Sequence, residues 1–109
     1  MNVKRKGSEG EREIVDILNN AGIRSYRNDQ IFRGGKNNPD VSAEFAEYHF
    51  HVEVKRCEKL NIHEAMKQAM NDASENHIPV VAHRRNRETW LVTIPLSELL
   101  KLLGESVKE

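Results

Sequence analysis

The chain has 109 residues, with 17 Lys+Arg and 17 Asp+Glu, so its formal net charge at pH 7 is zero. This length suits a single domain, 1–109, with a modest core, and no apolar run approaches the ~20 residues that cross a bilayer. The single cysteine excludes a disulfide framework and fits the cytoplasm, and a zero net charge excludes a uniformly basic surface for nucleic acid.

The first third of the chain predicts a helix followed by a short strand. Ser8 and Glu11 have the spacing of a capping box, with Ser8 at the N-cap and Glu11 at the third helical position. Apolar residues follow at helical spacing up to Gly22, which indicates a helix over 9–21. Residues 24–27 favour a strand, and 28–39 favour a Gly- and Asn-rich loop.

The remainder of the chain predicts a hairpin, a helix, two further strands and a last helix. Residues 41–45 and 49–55 alternate between apolar and polar, with a turn near 47–48. A complete apolar stripe predicts a helix over 62–76, and 79–83 and 89–94 favour strands. A leucine-rich helix follows Pro95. The order α-β-β-β-α-β-β-α predicts an α/β fold (an α+β mixed sheet) with helices packed on it.

Charge is distributed unevenly along these elements. Residues 1–36 carry eight bases and five acids, whereas 37–60 carry five acids and three bases. A second basic cluster lies at 84–87. Any contact with nucleic acid must therefore come from local charge on the two basic flanks.

The polar face of the predicted hairpin carries the candidate chemistry. If the apolar residues of both strands share one face, Asp40 lies opposite an odd-numbered residue such as Glu53 or Lys55. Two carboxylates this close repel unless a proton or a cation lies between them, and oxygen ligands suit Mg²⁺ or Mn²⁺. Lys55 would then orient a water or stabilise the charge on a phosphate. The alternative is the ordinary solvated face of an antiparallel sheet.

Glu11 has two interpretations. It lies at the edge of the buried stripe of the first helix, where an acid is costly unless it is paired or bound to a metal. The other interpretation is that it completes the capping box with Ser8.

The chain resembles the PD-(D/E)xK nuclease superfamily. The likeness rests on Pro39-Asp40, twelve intervening residues and Glu53-Val54-Lys55, preceded by Lys6-Gly7-Ser8-Glu9-Gly10-Glu11-Arg12-Glu13. Within the superfamily it is most similar to archaeal-type Holliday junction resolvases and small phage nucleases. The resemblance implies a restriction-endonuclease-like core, Mg²⁺- or Mn²⁺-dependent cleavage of branched or duplex DNA, and a homodimer.

The resemblance also implies roles for particular residues. The catalytic set would be Glu11, Asp40, Glu53, Lys55 and Gln68. The metal ligands would be Asp40, Glu53, the backbone carbonyl of Val54 and Glu11. The predicted contacts with DNA phosphates are Lys6, Arg12, Arg27, Arg33, Lys36, Arg56, Arg84 and Arg85. A solvated turn is an equal alternative for the segment 84–87.

Other side chains have simpler expected roles. His49 and His51 are predicted to be ordinary surface histidines, and Met66 and Met70 are predicted to lie in the core. Trp90 is predicted to pack between the sheet and a helix. Two further function classes stay open: a non-catalytic nucleic-acid-binding module of the same fold, and a dimeric interaction protein using the last helix. The expected location is the cytoplasm of a bacterial or archaeal cell or of a phage-infected host.

Overall fold

A computed structural model describes residues 3–28 and 38–107, with side chains over 8–28 and 38–104. The helices and strands within these ranges follow the predicted order. They are α1 Val3–Asn20, β1 Arg24–Arg27, β2 Val41–Phe45, β3 Tyr48–Arg56, α2 Ile62–Asp72, β4 His77–Arg84, β5 Leu91–Thr93 and α3 Leu96–Val107.

The five described strands form one mixed sheet in the order β1-β2-β3-β4-β5. Neighbouring strands are antiparallel except for β3 and β4, which are parallel. Because α2 connects β3 to β4, the chain crosses over and enters the next strand in the same direction. The predicted mixed sheet with packed helices is confirmed.

Helices cover both faces of the sheet. On one face, Ile14 of α1 packs in a cluster with Val52 and Val54 of β3 and their neighbours on β2 and β4. On the other face, Ala69 of α2 packs with Val81 of β4. Odd-numbered and even-numbered residues of β3 therefore face different helices, which follows from the period of two in a strand.

Helix α1 begins earlier than predicted. It starts at Val3, so Ser8 lies within the helix and the predicted capping box is wrong. Gly10 lies where α1 approaches the sheet, since a Cβ there would be 3.3 Å from Arg56 Cβ and 3.4 Å from Val54 Cγ1. This close approach to β3 stabilises the helix through tertiary contact rather than through a cap at Ser8.

Helix α2 ends earlier than predicted, at Asp72, because Ala73 is extended. Its N-cap is Asn61, whose side chain accepts a hydrogen bond from the backbone N–H of Glu64. Met66 is buried as predicted, but Met70 is 53% exposed, so the prediction of a core position is wrong for Met70. No helix in the described part of the chain has the length and apolar character needed to cross a bilayer.

Candidate active site

The pairing of β2 with β3 determines where Asp40 lies. Val41 pairs with Val52 across the hairpin, and the same register carried back by one residue brings Asp40 opposite Glu53. Oδ2 of Asp40 accepts a 2.9 Å hydrogen bond from the backbone N–H of Val54. The structure therefore brings the two carboxylates together, as the alternation of apolar residues predicts.

The polar face of β3 is buried around Glu53. Glu53 is 5% exposed and His51 is 2% exposed, and Nε2 of His51 lies 2.7 Å from Oε2 of Glu53. The expectation of a solvated face is wrong at this point, because α2 packs against β3 and β4 on the same side. The prediction of a surface histidine is therefore wrong for His51, whereas His49 is exposed.

The environment of Asp40 raises its pKa from the usual 3.8 to about 7. Burial is the largest cause, followed by the negative charge of Glu53. The hydrogen bond from the Val54 N–H acts in the opposite direction, and the charge of Glu11 raises the pKa further. The surroundings of the site do not fully stabilise its negative charge. The site therefore favours uptake of a proton or a cation.

Glu11 lies on α1, and its carboxylate is paired with a base. Oε1 of Glu11 accepts a 3.1 Å hydrogen bond from Nε of Arg27, and the same guanidinium donates through Nη2 to Oγ of Ser8 at 3.3 Å. Because Ser8 is inside the helix, Glu11 has no capping role. It acts on Asp40 through its charge.

Lys55 and Gln68 line one groove. Lys55 follows Glu53 by two residues on β3, and Gln68 lies on the exposed side of α2. Both border an open groove of about 490 Å³ between β3 and α2. The tertiary structure thus brings a candidate lysine and a candidate glutamine to the same surface.

These features agree with a comparison against protein families. Residues 2–109 match the family described as phage putative PDDEXK endonuclease. The chain belongs to this family. It is therefore a relative of the PD-(D/E)xK nucleases, as the motif on Asp40, Glu53 and Lys55 predicts.

The fold of this PDDEXK family member is similar to that of a solved resolvase. The structure of Hjc, a Holliday junction resolvase from the archaeal hyperthermophile Archaeoglobus fulgidus, matches with a TM-score of 0.66 and 22% sequence identity. The match covers 81% of this chain and 76% of that chain. It shows a shared restriction-endonuclease-like fold. No curated protein sequence matches the chain at a significant level.

The predicted DNA-contacting bases occupy different places in the PDDEXK fold. Arg12 and Arg85 are exposed, and Arg27 is partly exposed beside Glu11. Residues 33 and 36 and the side chain of Lys6 lie outside the described parts of the structure. Arg56 and Arg84 lie on the α1 face, with side chains that are 18% and 22% exposed.

Glutamates of α1 contact these two arginines. Nη1 of Arg56 donates to Oε1 of Glu9 at 3.3 Å and lies 3.6 Å from Oε2 of Glu13. Nη1 of Arg84 lies 3.8 Å from Oε1 of Glu13, and its guanidinium is 5.7 Å from the Trp90 ring centre. Trp90 packs against the core, as predicted. These contacts tie Arg56 and Arg84 to the fold on the face away from Glu53.

Sequence reasoning missed His51 and Glu13. His51 precedes Glu53 by two residues on an alternating strand, so the sequence predicts that the two side chains share a face. It does not predict that this face is buried at His51. Glu13 contacts residues from three distant segments, and no local pattern signals such contacts.

The chemistry of the carboxylate pair fits a hard divalent cation. Mg²⁺ keeps several waters and takes one or two carboxylates in many sites, and Asp40 and Glu53 supply two. No group of three or more His, Cys, Asp or Glu side chains in the described ranges is arranged to hold a metal ion. Glu11 is already paired with Arg27. Asp40 and Glu53 are therefore the two carboxylates that fit a divalent cation.

Proposed function

We propose that this chain is a metal-dependent endonuclease that hydrolyses phosphodiester bonds in DNA. The observation that carries the proposal is the pair formed by the partly buried Asp40 and the buried Glu53, with Lys55 two residues after Glu53 on β3. Placing acids where they repel each other costs stability. A site of this kind is typical of metal-assisted hydrolysis, and the family supports that chemistry.

In this proposal the protein ligands of Mg²⁺ or Mn²⁺ are Asp40, Glu53 and the backbone carbonyl of Val54. When bound, the cation would acidify a water and polarise the scissile phosphate. Lys55 would hold that water or offset the charge that develops on the phosphate. Glu11 would act as a further nearby carboxylate, and Gln68 would contact the substrate across the groove that it shares with Lys55.

The proposed substrate is DNA with branched structure and little sequence readout. The fold shared with a Holliday junction resolvase supports this choice. Lys6, Arg12, Arg27, Arg33, Lys36 and Arg85 would contact phosphates, which position DNA without reading its sequence. For Arg56 and Arg84 the same role requires release from the α1 glutamates. The expected location is where such DNA occurs, in the cytoplasm of a cell or an infected host.

We also propose that the active form is a homodimer joined through α3 and β5. Leu96, Leu100 and Leu103 follow one another at helical spacing on α3, and each is more than half exposed. Leu91 and Val92 of the edge strand β5 are also more than half exposed. The three leucines form an exposed apolar stripe along α3, and exposed apolar surface of this kind marks an interaction site. Analytical ultracentrifugation should give a dimer for the native chain and a monomer for Leu96→Lys with Leu100→Lys.

The decisive experiment uses a four-way junction, linear duplex and single-stranded DNA, with and without Mg²⁺ or Mn²⁺. The native chain should cut the junction only with metal. Asp40→Ala and Lys55→Ala should abolish cleavage, whereas the control variants Asp16→Ala and Lys59→Ala, at exposed positions, should cut normally. Normal cleavage by both site variants would refute the site. Salt-dependent DNA binding without metal-dependent cleavage would instead support the non-catalytic binding module.

A further inference from the structure

A buried histidine contacts one of the two carboxylates of the candidate site. His51 and Glu53 lie on the same face of β3, and Nε2 of His51 is 2.7 Å from Oε2 of Glu53. The side chains are 3% and 7% exposed. This is a short polar contact in a place from which water is nearly excluded.

The direction of this hydrogen bond follows from the chemistry of its two groups. A carboxylate that binds a cation is ionised and has only acceptor oxygens, so in the metal-bound state the hydrogen of this contact lies on Nε2 of His51. The donated bond occupies Oε2 of Glu53. Across the hairpin, Oδ2 of Asp40 accepts from the Val54 N–H. Each of the two carboxylates is therefore held by one N–H donor of β3.

We propose that His51 is a positioning residue, whose Nε2–H holds the Glu53 carboxylate in the orientation that binds the divalent cation together with Asp40. Without this donor the Glu53 side chain would lose its orientation and keep its cost of burial. Partners of metal ligands typically contribute about 10–100-fold to metal affinity or activity. The inference rests on the proposed function, because it takes Glu53 as a ligand.

The test measures Mn²⁺ affinity by isothermal titration calorimetry in the absence of DNA. His51→Phe should weaken Mn²⁺ binding by about 10–100-fold, because phenylalanine fills the space without donating. His51→Gln should retain most of the affinity, since the glutamine Nε2 lies at a similar distance from Cα and donates a hydrogen. The matched control is His49→Phe on the same strand, which is exposed and lies near Glu44, and this variant should bind as the native chain does.

The variant Asp40→Ala distinguishes a failure of the proposed metal site from a failure of the role proposed for His51. If Asp40→Ala binds Mn²⁺ as the native chain does, the proposed metal site itself fails. If Asp40→Ala loses binding but His51→Phe does not, only the role of His51 is refuted. Equal losses in His51→Gln and His51→Phe would also refute it, because the N–H donor would then not matter.

A measurement on the native chain covers the case in which His51→Phe does not fold. The ¹⁵N resonance of His51 Nε2 should shift as Ca²⁺ is added, since its acceptor would gain a cation. The resonances of His49 should not move, because its near acid is Glu44. An unmoved His51 resonance, under conditions where calorimetry detects binding of Ca²⁺, would overturn the proposal.

Discussion

The indole N–H of Trp90 donates a 3.0 Å hydrogen bond to Oε1 of Glu13, although the two residues are 77 positions apart. The same carboxylate lies near the guanidinium groups of Arg56 and Arg84. Glu13 thus joins α1 to the ends of β3 and β4 and to the segment before β5. Two arginines that the sequence assigns to DNA help to hold the fold together.

Replacing Glu13 with alanine should destabilise the protein. The change leaves Arg84 and, in part, Arg56 without a carboxylate partner, and it removes the acceptor of the Trp90 N–H. We expect a loss of about 1–3 kcal/mol in the free energy of unfolding. Urea denaturation followed by the fluorescence of Trp90, the chain's single tryptophan, measures it. An equal loss in Asp16→Ala, at an exposed position on the same helix, would contradict the role of Glu13.

Asp40→Asn should stabilise the metal-free protein more at pH 8 than at pH 5. The folded pKa of Asp40, about 7, lies above its usual 3.8. The stability due to the protonated carboxyl is therefore complete below pH 3.8 and is lost as the pH rises through about 7. Asparagine does not ionise and escapes this loss, which we expect to be about 2–4 kcal/mol.

Urea denaturation in the presence of a chelator gives the measurement. The difference in unfolding free energy between Asp40→Asn and the native chain should grow between pH 5 and pH 8. Asp16→Asn, at an exposed position, serves as the control and should show no such growth. A difference that is the same at both pH values would show that Asp40 is already ionised at pH 5.

A divalent cation that does not support cleavage should strengthen DNA binding. The chain has no net charge, and in the proposed site Asp40 and Glu53 would place negative charge where a phosphate approaches. Bound Ca²⁺ would offset that charge, so we expect the affinity for a four-way junction to rise about fivefold or more. Fluorescence anisotropy measures the effect. The same rise in Glu53→Gln would mean that Ca²⁺ acts elsewhere.

Adding side-chain atoms at two helical glycines should change the stability of the protein in opposite directions. Gly10→Val would press its side chain against Arg56 and Val54, which we expect to cost about 1–3 kcal/mol of stability. Gly104 of α3 has no atom within 4 Å of an added Cβ, so Gly104→Ala should stabilise by up to about 1 kcal/mol through helix propensity. Thermal unfolding measures both, and a neutral Gly10→Val would mean that α1 shifts freely on β3.

Local periodicity was sufficient to predict most of the fold and the proximity of the two carboxylates in the candidate site. The alternation in β2 and β3 predicts which residues share a face, because strand side chains have a period of two. That parity alone places Asp40 opposite an odd-numbered residue, and the Val41–Val52 pairing, carried back by one residue, brings it opposite Glu53. The order of helices and strands followed in the same way from the spacing of apolar residues.

Contacts between distant segments decided what the sequence by itself did not determine. Alternation does not determine which polar face is covered. The burial of His51 and Glu53 depends on the packing of α2 on the sheet. The pairing of Arg84 with Glu13 likewise depends on residues far apart in the chain. Strand periodicity is a property of neighbouring residues, whereas burial and charge pairing are properties of the assembled fold.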